Sequence, residues 1–244
     1  MNFENINKVY DKLYIDKKYD QEYLHVKNLI SKYNPGTNIL EYGSGTGKYS
    51  KFFINDNFNL TGIELSPEMH QIALKKGIDS INYNMVDFVS KNTFNNAVAL
   101  FHVFSYLNSE DEINIFFKNL NKNLDKNGLF IFDVWHTPAV NHISPSVRTK
   151  EFEDDNFKIK RTSYPHKIKN SNIIKVDFIC KIFDKASGLT EEFNESHKMR
   201  HFSVSEIESM ALKFKFKLLT SEELVSKKNP SNETWAILHV LQKL

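Results

Sequence analysis

Residues 39–50 read Ile-Leu-Glu-Tyr-Gly-Ser-Gly-Thr-Gly-Lys-Tyr-Ser. The apolar pair Ile39-Leu40 runs into an acid, Glu41. Three glycines then alternate as Gly43, Gly45 and Gly47, and an amphipathic stretch opens at Lys48. This order predicts a strand, a glycine turn and the first turn of a helix. Glycine suits such a turn because it tolerates positive φ and lets a ligand lie against bare backbone. Two phosphate cradles fail on spacing. A dinucleotide fold needs G-x-G-x-x-G, and from Gly43 the third glycine would fall on Lys48. A P-loop needs Gly-Lys before Ser or Thr and a glycine five residues earlier, but Tyr49 follows Lys48 and Tyr42 holds the earlier place.

Outward from this turn the chain alternates. Strands are expected at 38–42, 58–64, 79–83, 96–101 and 128–134, and helices at 20–33, 46–55, 67–76 and 110–124. Ser66 caps the helix that begins at Pro67. Such alternation implies a parallel sheet with helices on both faces. The rhythm breaks after Trp135. Residues 173–183 place Ile174, Val176, Phe178, Cys180 and Ile182 on one side and Lys175, Asp177 and Lys181 on the other. With 156–161 and 191–202 they predict an antiparallel insert of about three strands. Helical period returns at 204–214, before closing strands at 216–221 and 234–241.

Bulk properties narrow the class. A chain of 244 residues suits one elaborated α/β domain, and a net charge of +2 implies no nucleic-acid or membrane partner. The one cysteine, Cys180, excludes an internal disulfide and suits a reducing cytoplasm. The acid-containing start, Met1-Asn2-Phe3-Glu4-Asn5, does not read as a leader, and no run approaches the ~20 apolar residues of a membrane span.

Open α/β sheets bind ligands at the carboxyl ends of their strands. The second strand ends in Gly62-Ile63-Glu64-Leu65-Ser66, with Glu64 placed 21 residues after Gly43, as for a ribose-binding acid on the neighbouring strand. The third is followed by Met85-Val86-Asp87-Phe88, and the fourth ends in Leu100-Phe101-His102-Val103-Phe104-Ser105-Tyr106-Leu107.

The pattern E-x-G-x-G-x-G over Glu41–Gly47 resembles motif I of the class I S-adenosylmethionine-dependent methyltransferases, a Rossmann-like α/β fold. The resemblance implies that Glu41, Gly43, Ser44, Gly45 and Gly47 hold the amino-acid end and ribose of the cofactor, with Phe101 beside them. It further implies that Glu64 and Leu65 meet the ribose, and that Asp87 and Phe88 meet the adenine. Tyr10-Asp11-x-x-Tyr14 followed by Lys18-Tyr19 resembles the N-terminal helix of small-molecule methyltransferases, including antibiotic-sugar N,N-dimethyltransferases, in which such tyrosines close over the methionine end. The implication is carried to Tyr14 and Tyr19. The run Glu195-x-His197-x-Met199-Arg200-x-Phe202-Ser203 resembles the end of that group's lid-forming insert. The chain departs from the group after the fifth strand, where Trp135-His136-Thr137-Pro138 stands in place of bulky aromatics.

Three regions follow: cap helices and cofactor core at 1–140, an antiparallel acceptor-side lid with a homodimer contact at 141–202, and the last helix and closing strands at 203–244. Methyl transfer from a sulfonium demands chiefly that the acceptor be held in line, and a hydroxyl acceptor gains from a general base. His102, His136 and His197 are the catalytic candidates. Strand parity sets Glu195, His197, Met199 and His201 on one face, so that Glu195 and His197 form a pair. No acidic or histidine set has metal-ligand spacing, so no metal is expected. Lys158, Lys160, Arg161, Lys167 and Lys169 are interspersed with Glu151, Glu153, Asp154 and Asp155 and read as a mixed-charge hairpin. The expected activity is methylation of O or N on a small polar metabolite: a sugar, nucleotide-sugar or related precursor of a surface polysaccharide or secondary metabolite. Two other readings stand beside it, a non-catalytic cofactor-binding scaffold and an RNA methyltransferase.

Overall fold

The computed structural model describes residues 10–244; the start read as lacking a leader lies outside the described residues. Five parallel strands lie at the centre: β1 (Asn38–Tyr42), β2 (Asn59–Glu64), β3 (Ser80–Asn82), β4 (Phe94–Ala99) and β5 (Leu124–Trp135). The pair β10 (Phe216–Glu223) and β11 (Ala236–Lys243) completes a seven-stranded sheet of order β10-β11-β5-β4-β1-β2-β3. Only the β10–β11 and β11–β5 pairings are antiparallel.

The central strands are apolar on both sides because both are covered. Ile39, Leu60, Val98, Leu129, Ile131 and Val240 pack under α2 (Tyr19–Tyr33), α3 (Lys48–Asn55) and α4 (Pro67–Lys75). Their neighbours Leu40, Tyr42, Ala97, Ala99, Phe130 and Phe132 pack on the other face under α5 (Glu110–Asn123) and α7 (Val204–Lys213). Both of those helices begin with a complete capping box, Ser109 with Glu112 and Ser203 with Glu206. Ser66 caps α4 as expected, its hydroxyl accepting from the Met69 amide at 3.2 Å.

The insert has four strands rather than three: β6 (Arg148–Glu153), β7 (Phe157–Lys167), β8 (Ile173–Asp184) and β9 (Thr190–Arg200), paired antiparallel in that order. A helix absent from the sequence reading, α6 (Thr137–His142), links β5 to it. One end of the inner face is apolar, where Ile159, Cys180 and Ile182 pack with Leu13 of α1 (Tyr10–Leu13). The other end is apolar too, with Ile174 and Val176 against Val140, Trp135 and Trp235. Between them lie Arg161, Ser163, Glu195 and His197, a polar stripe facing the carboxyl ends of β1–β5. His201 is not part of it. The strand ends at Arg200, and His201 turns aside, its amide donating to Asn172 O and its Nδ1 lying 2.8 Å from Thr137 Oγ1.

Among the described residues no helix is long and apolar enough to cross a membrane.

Candidate active site

One cavity of about 670 Å³ separates the strand ends from the insert, within the size range of small-molecule sites. Its first wall is the glycine turn. Gly43, Gly45 and Gly47 all have positive φ, at +65°, +57° and +80°. A Cβ on Gly43 would strike Val103 at 2.5 Å, and one on Gly47 would strike Ile78 at 2.8 Å. Gly45 differs, because its missing side chain opens on the cavity with only Met69 Sδ within 4 Å, at 3.9 Å. That bare backbone is a cradle for a ligand.

Glu64 stands beside it, buried at the end of β2. One carboxylate oxygen accepts the Gly45 amide and the other the Ser66 amide, each at 2.8 Å. Burial pushes its carboxyl above the usual range, against hydrogen bonds from Ser66, Gly45 and Leu65 that act the other way. Each oxygen keeps lone-pair capacity for a hydroxyl donor. Ser44, Leu65, Tyr14, Tyr19 and Phe101 also line the cavity.

Four expected cofactor contacts do not line the cavity: Gly47, whose missing side chain faces Ile78, and Glu41, Asp87 and Phe88. Glu41 is buried behind the glycine turn, where it accepts the Ser50 hydroxyl, and burial raises its carboxyl to about 8. It does not line the cavity. Asp87 is exposed because the chain reverses at Asn84, whose carbonyl accepts the Asp87 amide at 3.2 Å and whose side chain accepts the Val86 amide at 3.0 Å. Phe88 is carried past the turn into the core. The cavity wall here consists of Tyr83, Asn84, Met85 and Val86, the four residues that precede Asp87.

The three histidine candidates separate. His136 is buried and does not line the cavity; its amide donates to Trp235 O at 3.0 Å, and burial lowers its pKa. His102 lines the cavity, and its Nδ1 lies 2.7 Å from Asp133 Oδ2. Its amide also points at the Asp133 carboxylate, 3.2 Å from each oxygen. Burial would raise the Asp133 carboxyl, but His102 and Lys17 outweigh it and hold it below the usual range. Phe101 and His102 are consecutive left-handed residues, φ +67° and +62°, a conformation that costs of order 1–3 kcal/mol at a residue other than glycine. Asp133 gathers the amide and ring of His102 and fixes that strained pair, turning the Phe101 ring toward Tyr14, 4.9 Å away edge-on.

His197 lies on the opposite wall, buried at the centre of the stripe. Its Nε2 is 3.3 Å from Glu195 Oε2 and its Nδ1 is 2.8 Å from the Tyr106 hydroxyl. Among the described residues Glu195 Oε1 has no hydrogen-bond partner, nor has Arg161 Nε, while Arg161 Nη1 donates to the Tyr14 hydroxyl. Tyr106 and Arg161 were not singled out by the sequence. Tyr106 lies in an apolar run after β4 and Arg161 in a mixed-charge hairpin, and neither pattern marks the two as cavity residues. The neighbours of Arg161 in that hairpin behave as expected, Lys160 pairing with Glu151 at 3.0 Å and Lys158 with Glu153 at 3.5 Å, all four exposed.

A family model for a methyltransferase domain matches residues 15–220, most of the chain. The chain belongs to that methyltransferase family. It is 24% identical over 209 residues to the dTDP-3-amino-3,4,6-trideoxy-α-D-glucopyranose N,N-dimethyltransferase of Streptomyces venezuelae, covering 82% of this chain and 85% of that one. Among solved structures it resembles an S-adenosylmethionine-dependent methyltransferase from Clostridium acetobutylicum, with TM-score 0.80, 18% identity and coverage of 99% and 98%. It also resembles CalS10, an amino pentose methyltransferase from Micromonospora echinaspora, with TM-score 0.79, 18% identity and coverage of 100% and 98%. The methyltransferase described here is of the class I, S-adenosylmethionine-dependent type, with the α/β sheet of that class. The bare backbone at Gly45 and the buried acid Glu64 fit the cofactor. When bound, S-adenosylmethionine supplies an electrophilic methyl group.

Proposed function

We propose that this methyltransferase transfers a methyl group to an N or O atom of a small polar metabolite of the sugar or nucleotide-sugar type. One observation carries the reading: the glycine-turn wall and the polar stripe of the insert face each other across a single cavity. Gly45, Glu64 and Leu65 hold the ribose side of the cofactor, and Tyr14, Tyr19 and Phe101 surround its methionine end. Arg161, Ser163, Glu195 and His197 then present alternating donors and acceptors to the acceptor molecule, as a hydroxyl-rich ligand requires. The amino-sugar substrate of the Streptomyces relative points the same way.

An RNA acceptor fits less well. Lys158 and Lys160 of the β6–β7 hairpin are paired with glutamates, and a net charge of +2 offers no basic track for phosphates. Incubating the enzyme with S-adenosylmethionine and separate panels of amino sugars, nucleotide-linked amino sugars and structured RNA tests the choice. Methylated product is expected from a sugar panel. Product from RNA alone, or cofactor binding with no methylated product, would contradict the proposal, the latter in favour of a scaffold.

A further inference from the structure

Tyr106 occupies the last position of the 3₁₀ turn Val103–Tyr106 that follows β4. The turn is pinned to the insert, because Asn108 Nδ2 donates both to Tyr106 O at 2.8 Å and to Lys198 O on β9 at 3.2 Å. Tyr106 therefore bridges the two walls, with its ring on the strand-end side and its hydroxyl at His197 Nδ1, 2.8 Å away. Behind it His197 Nε2 lies 3.3 Å from Glu195 Oε2, and the imidazole is held edge-on by Phe178 at 5.1 Å. A carboxylate only accepts hydrogen bonds, so the Glu195 side fixes the ring proton on Nε2. Nδ1 is then an acceptor and the Tyr106 hydroxyl donates to it. The phenolic lone pairs remain for an N–H or O–H in the cavity.

The geometry points to Tyr106 as the catalytic residue that meets the methyl acceptor, with His197 as the positioning residue that receives its proton and Glu195 as the one that orients His197. This rests on the proposed function of the cavity. In the step, the acceptor's lone pair forms the new N–C or O–C bond while the carbon–sulfur bond breaks and its electron pair returns to sulfur. The proton released by the acceptor passes to the Tyr106 oxygen as Tyr106 gives its own to His197 Nδ1. An imidazolium results, facing Glu195. Free tyrosine is a poor base at neutral pH. Burial pushes this hydroxyl higher still, as do Tyr14, Glu195 and Glu64, opposed by Arg161, so Tyr106 acts by exchange rather than as a phenolate. Among the described residues the charged and titratable groups facing the pair include Glu195 on β9, Arg161 on β7, Tyr10 on α1, Tyr14 just after it, and Glu64 on β2.

Tyr106→Phe keeps the ring and removes the exchange. General-base assistance is typically worth 10²–10⁴-fold, so kcat should fall by about 10²-fold or more. Cofactor affinity by calorimetry should be unchanged, and the acid limb of the pH–rate profile should be lost. Glu195→Gln should shift that limb and leave folding intact. A readout apart from turnover is the ¹⁵N spectrum of His197 in the wild-type protein, which should show the Nε2–H tautomer. The opposite tautomer, or a Tyr106→Phe enzyme with wild-type rate and pH profile, overturns the relay. A wild-type enzyme that methylates no sugar-type acceptor overturns the functional reading instead, so the two failures are distinguishable.

Discussion

The missing side chain of Gly45 faces the cavity, whereas those of Gly43 and Gly47 face packed neighbours, and these residues should separate binding from folding. Gly45→Ala meets no clash and bears only the strain of a left-handed alanine, about 1 kcal/mol. It should stay folded and lose S-adenosylmethionine binding by calorimetry. Gly43→Ala adds a contact at 2.5 Å to the same strain and should lower the free energy of unfolding in denaturant by a further ~1–3 kcal/mol. Equal stability for the two variants would contradict this assignment. Asp133 offers a second test, because removing one partner of a buried pair costs about 3–5 kcal/mol. Its partner His102 keeps some exposure, so Asp133→Ala should cost near the lower figure by chemical denaturation. The Asp133 carboxyl is held low in the fold, so its contribution is present above the ordinary aspartate pKa and disappears as pH falls through the depressed one. The wild-type advantage over Asp133→Asn should therefore shrink in strong acid.

The insert shows what a sequence makes legible and where that stops. β8 was readable because its residues alternate apolar and charged, and one face is buried. β6, Arg-Thr-Lys-Glu-Phe-Glu, has one apolar residue in an exposed edge strand, so no alternation marks it. α6 has six residues, too few for a helical period to register. The glycine turn and Glu64 were legible because their chemistry is local to one βα unit. Tyr106–His197 and His102–Asp133 join residues 91 and 31 apart in sequence, and no periodicity reports such a meeting. Asp87 is exposed for a related reason, since the chain turns at Asn84 and the four residues before the acid form the wall. The same distinction predicts function along β7. Lys160→Ala breaks an exposed pair and should change stability by less than ~1 kcal/mol, with acceptor KM unaltered. Arg161→Ala, one residue on, removes a cavity donor and should raise acceptor KM by about tenfold, equivalent to ~1.4 kcal/mol. Steady-state kinetics on both variants decides it.

For the whole molecule, stability is tied to histidines that folding keeps neutral. His239 is fully buried on β11, its Nδ1 2.8 Å from Ser221 Oγ, and burial with nearby His136 lowers its pKa to about 3. Free histidine takes up a proton near 6.5, so between that pH and about 3 the unfolded chain binds the extra proton and stability falls as pH falls. This one residue should cost about 2 kcal/mol between pH 6.5 and 5, and His239→Gln should flatten the slope of stability against pH by one proton. A parallel slope would show that His239 does not contribute. At this scale the central claim is that two walls of different origin, the strand ends and the insert, enclose the reacting atoms between them. A crystal structure with S-adenosylhomocysteine and an amino-sugar acceptor tests it most directly. The account predicts Glu64 on the ribose hydroxyls, Gly45 beneath the cofactor, and the acceptor nitrogen between the sulfur and the Tyr106 hydroxyl. A sulfur directed away from Tyr106 and the insert, toward His102 and Asp133, would contradict it.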